Sequence, residues 1–165
     1  METERLILRE LELDDLDPLA AILGDADGMR FYPHPFARAE TRDWILRNRT
    51  RYAEDGHGLW AVVLKADWEL VGDCGLTIQT VEGVPELEIG YHIQRAKWRR
   101  GLATEAAFAC RDFAFSVLGG DRLISISSQG NIASQGVAKN LGMTFEKNVV
   151  SKDLTQVLFS MRRPR

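Results

Sequence analysis

Glu88-Ile89-Gly90-Tyr91-His92-Ile93, continued through Gln94-Arg95-Ala96-Lys97 into Trp98-Arg99-Arg100-Gly101-Leu102-Ala103-Thr104-Glu105-Ala106, is the stretch on which the reading of this chain turns. Its first part is a short apolar-rich strand. Beyond Arg100 the apolar period changes. Leu102, Ala106, Ala109 or Cys110, Phe113 and Val117 recur every three or four residues, which predicts a helix over about 100–118 with Gly119-Gly120 as its stop. No Ser, Thr, Asp or Asn stands just before that helix to cap its first free N–H groups. Lys97, Arg99 and Arg100 instead crowd the positive end of the helix dipole, where a cation is unfavourable by up to about 1 kcal/mol. Gly101 lets a ligand approach the backbone closely. Open amides, a glycine and surplus cations make a site for an anion, most naturally a phosphate or pyrophosphate. The plainer alternative is a solvated basic loop leading into an ordinary helix. The glycine spacing fits neither a P-loop nor a dinucleotide fingerprint.

On the N-terminal side, Arg5 to Arg9 alternates as an opening strand, with Leu6, Leu8 and Leu11 as its apolar set. Asp14-Asp15 offers a cap for a helix whose stripe is Leu16, Leu19, Ala20 and Leu23, with Pro18 in its first turn. Met29 to Phe36 (M-R-F-Y-P-H-P-F) is a loop punctuated by Pro33 and Pro35. A second helix starts at Ala39-Glu40-Thr41-Arg42, carries Trp44, Ile45, Arg49 and Tyr52, and ends before Gly56. Leu59 to Leu64 and Glu69 to Gln79 read as strands, and Gly72, Asp73 and Gly75 give the latter a bulge-prone, close-packed character. Val81 to Pro85 reads as the next turn, so the central strand is expected over 86–93.

On the C-terminal side, Arg122 to Ser128 is a strand, and Asn131-Ile132-Ala133-Ser134 opens a helix ending at Gly142. Met143 to Val150 and Asp153 to Met161 close the chain as a pair of strands around Ser151-Lys152, with Arg162 to Arg165 as a tail. A helical crossover between 86–93 and 122–128 requires those two strands to be parallel within an otherwise antiparallel sheet.

The chain has 165 residues, 45% hydrophobic and 27% charged, which suits one domain with a real core. A formal net charge of −3 argues against nucleic-acid binding by the whole surface. Cys74 and Cys110 fall in a strand and in the central helix, where buried reduced thiols fit a cytosolic setting. No Cys/His cluster has metal spacing, and no apolar run approaches the length of a membrane span. The expectation is a cytoplasmic protein without metal, nucleic-acid or membrane partners.

W-R-R-G-L-A followed by T-E-A resembles the acetyl-CoA signature (Q/R)-x-x-G-x-(G/A) of the GNAT superfamily of N-acetyltransferases. Trp98 stands where that pattern has Gln or Arg. In this it is similar to the ribosomal-protein N-acetyltransferase (Rim-type) branch, which reads roughly W-G-x-G-x-A-T-E-A. The resemblance runs from Arg5 to the C-terminus. It implies the GNAT fold: an α/β (α+β) domain over 1–165 whose mixed, mostly antiparallel sheet of about seven strands is flanked by helices. Its parallel strand pair splays to admit the pantetheine arm.

Carried onto this sequence, the resemblance gives the backbone of Arg99, Arg100, Gly101, Leu102, Ala103 and Thr104, after Trp98, to the pyrophosphate of acetyl-CoA, with side-chain charge from Lys97, Arg99 or Arg100. It gives the backbone of Tyr91, His92 and Ile93 to pantetheine, with one N–H polarising the thioester carbonyl. Asn131 and Ser134, in N-x-x-S followed by V-A-K-N-L-G-M, resemble the family's N-x-x-S…L-G-F, whose Asn contacts the pantetheine arm. Asn131 also reads simply as an N-cap. The tyrosine that protonates the leaving thiolate in many members falls at Ala138, and Ser134, which resembles the acid proposed in the Rim-type branch, is the replacement candidate. Glu88 matches the glutamate before I-G-Y and would accept the amine's proton. Glu86 shares its face, and a structural carboxylate is the alternative reading. Phe31, Tyr32 and His34 would wall the acceptor pocket, or the loop they sit on merely covers the core.

The implied activity is acetyl transfer to a primary amine, a protein N-terminus in the Rim-type reading. A small-molecule amine (antibiotic, polyamine or amino-acid derivative) and a non-catalytic CoA-binding module are the alternatives, and a homodimer is possible. A lysine amine is only about 0.1% neutral near pH 7.4 and an α-amine roughly a quarter. A chain with a weakly defined base and no tyrosine acid is therefore better matched to an α-amine or another low-pKa amine.

Overall fold

The computed structural model describes residues 1–151 and 154–164. Seven strands form one sheet in the order β1-β2-β3-β4-β5-β7-β6. They are β1 (Leu6–Arg9), β2 (Leu59–Leu64), β3 (Leu70–Val81), β4 (Val84–Ile93), β5 (Arg122–Ser128), β6 (Thr144–Ser151) and β7 (Leu154–Arg162). The helices are α1 (Leu16–Leu23), α2 (Arg38–Asp55), α3 (Leu102–Ser116) and α4 (Ile132–Asn140). Every strand pair is antiparallel except β4–β5, which α3 connects as a crossover. Lys152 and Asp153, where the closing turn and the start of the last strand were expected, lie outside the described residues, as does Arg165 at the end of the tail.

Two apolar layers flank the sheet. On one face α3 presses Leu102, Ala106, Cys110 and Ala114 against Leu8, Val62, Cys74, Leu76 and Ile89. On the other, Leu19 and Leu23 of α1 and Ile45 of α2 cover Ala61 and Val63. Alternation along each strand sends neighbouring side chains to opposite layers, so Glu88 and His92 share a face opposite to Ile89 and Tyr91.

Several boundaries differ from expectation. The turn is not Val81–Pro85. It is Glu82-Gly83, both at positive φ (50° and 84°), so β3 runs on to Val81 and β4 begins at Val84 with Pro85 opposite Thr80. Two central residues in the left-handed region are the requirement of the tight hairpin turn whose twist suits its strands. The proline misled because it punctuates most sequences, yet here it sits near a strand end. The bulge expected in β3 is present beside Gly72: Val62 pairs with Gly72 and Val63 with Leu70, which makes Val71 the extra residue toward β2, while the pairing with β4 is unbroken. Gly72 does mark a close approach: a Cβ there would lie 2.0 Å from the His92 carbonyl oxygen. Asp15 does not cap α1. Its carboxylate accepts the Glu12 N–H and two Arg9 N–H groups at 2.7–2.8 Å. The central helix is shorter than 100–118, because Arg100 and Gly101 belong to the loop that precedes it.

Candidate active site

The β4–β5 junction makes the site. Only Glu88↔Ile124 pairs across it, and beyond Glu88 the strands diverge, leaving the 89–93 edge of β4 without a strand partner. Parallel strands joined by a helix need room for that helix to pack, and here the room becomes a cleft.

At the cleft's end, Trp98 is extended, Arg99 turns left-handed (φ 60°), and Gly101 at φ 77° is the N-cap of α3. No side chain caps that end, so the amides of Leu102, Ala103 and Thr104 have no intrahelical acceptor. Left-handed residues bracketing Arg100 turn successive N–H groups into one concavity. An added Cβ at Gly101 would meet only Arg5 Nη2, at 3.6 Å. Arg99 and Arg100 have no side-chain ion pair among the described residues, whereas Lys97 is held by Glu69 at 2.5 Å and is not free to add its charge. The Trp98 indole N–H donates to the Ile93 carbonyl at 2.7 Å, and Arg30 lies over its ring. These features fit the diphosphate of a CoA thioester.

Asn131 caps α4 through its carbonyl oxygen, which accepts the Ser134 N–H at 3.2 Å and leaves the amide NH2 to another partner. Ser134 meets Tyr91: the phenol donates to the Ser134 backbone oxygen at 2.8 Å and lies 3.2 Å from Ser134 Oγ. Burial pushes the Tyr91 phenol up to about 12. A phenol hydroxyl, absent at Ala138, thus lies beside Ser134 from a neighbouring strand.

A cavity of about 360 Å³ opens where Glu88, His92, Tyr32 and Trp44 converge, and it reaches Tyr91 and Ser134 through the cleft. Glu88 accepts the Ile126 N–H at 3.2 Å, and burial pushes its carboxyl up to about 7. Glu86 is committed elsewhere, to Arg122 at 3.0 Å. Phe31 and Tyr32 line an adjoining cavity of about 300 Å³ with Asn131 and Ser134. His34 is not brought to the site. It is well exposed, 2.8 Å from Glu40 at the start of α2.

The sequence reading missed a cross-strand network. His92 Nδ1 lies 2.7 Å from Asp73 Oδ1, and the Trp44 indole N–H donates to Asp73 Oδ2 at 2.8 Å. The signal was present: counting back equally from the Glu82-Gly83 turn sets Asp73 opposite His92.

Residues 5–144 match the family described as acetyltransferase (GNAT) domain. YkkB, an uncharacterized protein of Bacillus subtilis (strain 168), is 34% identical over 148 residues, covering 89% of this chain and 86% of YkkB. The solved acetyltransferase from Agrobacterium tumefaciens str. C58 is 26% identical with a TM-score of 0.86, over 99% of this chain and 94% of its own. RimL, a ribosomal L7/L12 α-N-protein acetyltransferase solved in complex with coenzyme A, shares the fold at TM-score 0.79 and 15% identity, over 97% and 95% of the two chains. Matched along most of its length and built around an open strand edge beside an uncapped helix, the chain belongs to the GNAT family of acetyltransferases.

Proposed function

We propose that this enzyme transfers the acetyl group of acetyl-CoA to the α-amine of a protein N-terminus, by direct attack of the amine while both substrates are bound. The observation that carries the acceptor class is Glu88, a cavity-facing carboxyl raised to about 7. An α-amine titrates near 7.8, within about one unit of that base, whereas a lysine amine near 10.4 would oppose the transfer by roughly 4 kcal/mol or more. The two cavities adjoin at Tyr32, Gln79 and Gln156, a shape that suits an extended chain. RimL, whose fold this chain shares, is an α-N-protein acetyltransferase.

Acetyl-CoA supplies the acetyl group already activated as a thioester. The amides of Leu102 to Thr104, with Arg99 and Arg100, would hold its diphosphate. The free edge of β4 would pair with the pantetheine arm, one N–H there stabilising charge on the thioester oxygen, and the Asn131 NH2 would donate to the same arm. Glu88 takes a proton from the attacking nitrogen. Ser134 Oγ–H gives a proton to the departing sulfur and regains the one that Glu88 took up.

One observation favours a second reading. Arg51 lines the acceptor cavity, partly buried and anchored to Asn48 Oδ1 at 3.2 Å, which suits a small amine that also bears a carboxylate. Release of free CoA from acetyl-CoA, measured against peptide N-termini and small amines, separates the two. Turnover on peptides supports the first, turnover confined to carboxylate-bearing small amines the second, and turnover on neither overturns both.

A further inference from the structure

Acetylation removes two protons from an ammonium. One ends on the sulfur of CoA and one in solvent, so a site with a single base must use it twice. The acceptor cavity holds a second group suited to the task. His92 is cross-strand from Asp73; its Nδ1 lies 2.7 Å from Asp73 Oδ1, and Asp73's other oxygen is held by Trp44 at 2.8 Å. An ionised carboxylate only accepts, so this contact places the proton of a neutral imidazole on Nδ1 and leaves a lone pair on Nε2. That Nε2 is buried and has no hydrogen-bond partner among the described residues. A buried polar atom without a partner calls for an explanation. Tyr32, from the loop before α2, lies against the imidazole with ring centroids 5.1 Å apart.

We propose that His92, oriented by Asp73 and Trp44, is the catalytic residue that deprotonates the acceptor ammonium, and that Asp73 is its positioning residue. The proposal rests on the acetyl-transfer reading above. In the step, one N–H bond of the ammonium breaks and its proton passes to the Nε2 lone pair. The freed nitrogen pair then forms the C–N bond as the C–S bond breaks. Glu88 accepts the second proton, the sulfur receives one from Ser134, whose hydroxyl is restored by the proton that Glu88 took up, and His92 returns its proton to solvent when the product leaves. The charged and titratable groups facing the imidazole are Asp73 on β3, Glu88 on β4 and the Tyr32 phenol. Burial works to lower the His92 pKa, but Asp73 and then Glu88 outweigh it, so the net direction is upward.

The test is steady-state kinetics of wild type, His92→Gln, His92→Ala and Asp73→Asn with a peptide α-amine, alongside the imidazole ¹⁵N spectrum of wild type. We expect His92→Gln to lower kcat by about 100-fold with the KM for acetyl-CoA unchanged. The acidic limb of kcat/KM should fall from a slope near two to near one, and added imidazole should partly restore His92→Ala. Asp73→Asn should lower kcat about tenfold and move the histidine limb to lower pH. The spectrum should show the Nδ1–H tautomer. A kcat within twofold of wild type, an effect confined to the KM for acetyl-CoA, or the Nε2–H tautomer would each overturn the assignment. If wild type acetylates no amine while the Nδ1–H tautomer is present, the acetyl-transfer reading fails first and this proposal falls with it.

Discussion

The two edges of β4 are built on opposite terms. Toward β3 all ten residues pair in unbroken register from Val84 to Ile93; toward β5 only Glu88 does. The closed edge fixes side chains, holding Asp73 against His92 with no freedom to slip. The open edge offers backbone, a row of unpaired groups ready for an extended partner. In the proposed mechanism one strand thereby serves both substrates, CoA through its main chain and the amine through the side chains of Glu88 and His92.

The sharpest way to break the open edge is at its far end. Gly101→Glu places a carboxylate in the anion concavity at a left-handed residue, and CoA binding by calorimetry should fall by more than about 100-fold (about 2.7 kcal/mol) while circular dichroism stays native. Gly101→Ala controls for strain and should cost about 1 kcal/mol of stability with affinity largely kept. Unchanged affinity in Gly101→Glu would remove the diphosphate assignment.

Next in size is Glu88→Gln, which should lower kcat by about 100-fold. In wild type the carboxylate is the active form, so kcat/KM should rise with pH through about 7. Folding is linked with the opposite sign. A carboxyl whose folded pKa is raised favours the folded state below its unfolded value, and that advantage is lost as pH rises through about 7. Glu88→Gln should therefore raise Tm at pH 8 and leave it nearly unchanged at pH 4.

Smaller effects test the braces. Trp98→Phe removes the hydrogen bond to the Ile93 carbonyl and should raise the KM for acetyl-CoA several-fold, on the scale of about 1 kcal/mol. Arg122→Met breaks the pairs with Glu86 and Glu146 that join β4, β5 and β6 at the paired end of the cleft. Urea denaturation should show a loss below about 1 kcal/mol, with acetyl-CoA affinity unaffected.

Most of this frame was legible in the residues. Hydrophobic period located the strands and helices, and the crossover through α3 required β4 and β5 to be parallel. Arg99 to Thr104 stood out because a helix without a cap and with cations at its positive end has no local reason to exist. What stayed hidden depends on pairing. Lys97 looked available until its cross-chain partner Glu69 was seen. Asp73 and His92 looked unrelated because one misplaced turn, drawn to Pro85 instead of Glu82-Gly83, shifts every partner along the hairpin. His34, in a loop no periodicity constrains, gave no sign that it would face away from the cavity.

Cys74 of β3 and Cys110 of α3 lie with their sulfurs 3.6 Å apart, fully buried between sheet and helix. Burial raises the Cys74 thiol well above its ordinary range, so neither reagent access nor thiolate is on offer in the closed protein. A thiol reagent can react only when α3 lifts from the sheet, which makes its rate a clock on that opening. Because α3 begins at the anion concavity, acetyl-CoA should slow the clock, and the dose at which it does so would report occupancy of a site about two helical turns before Cys110 along α3.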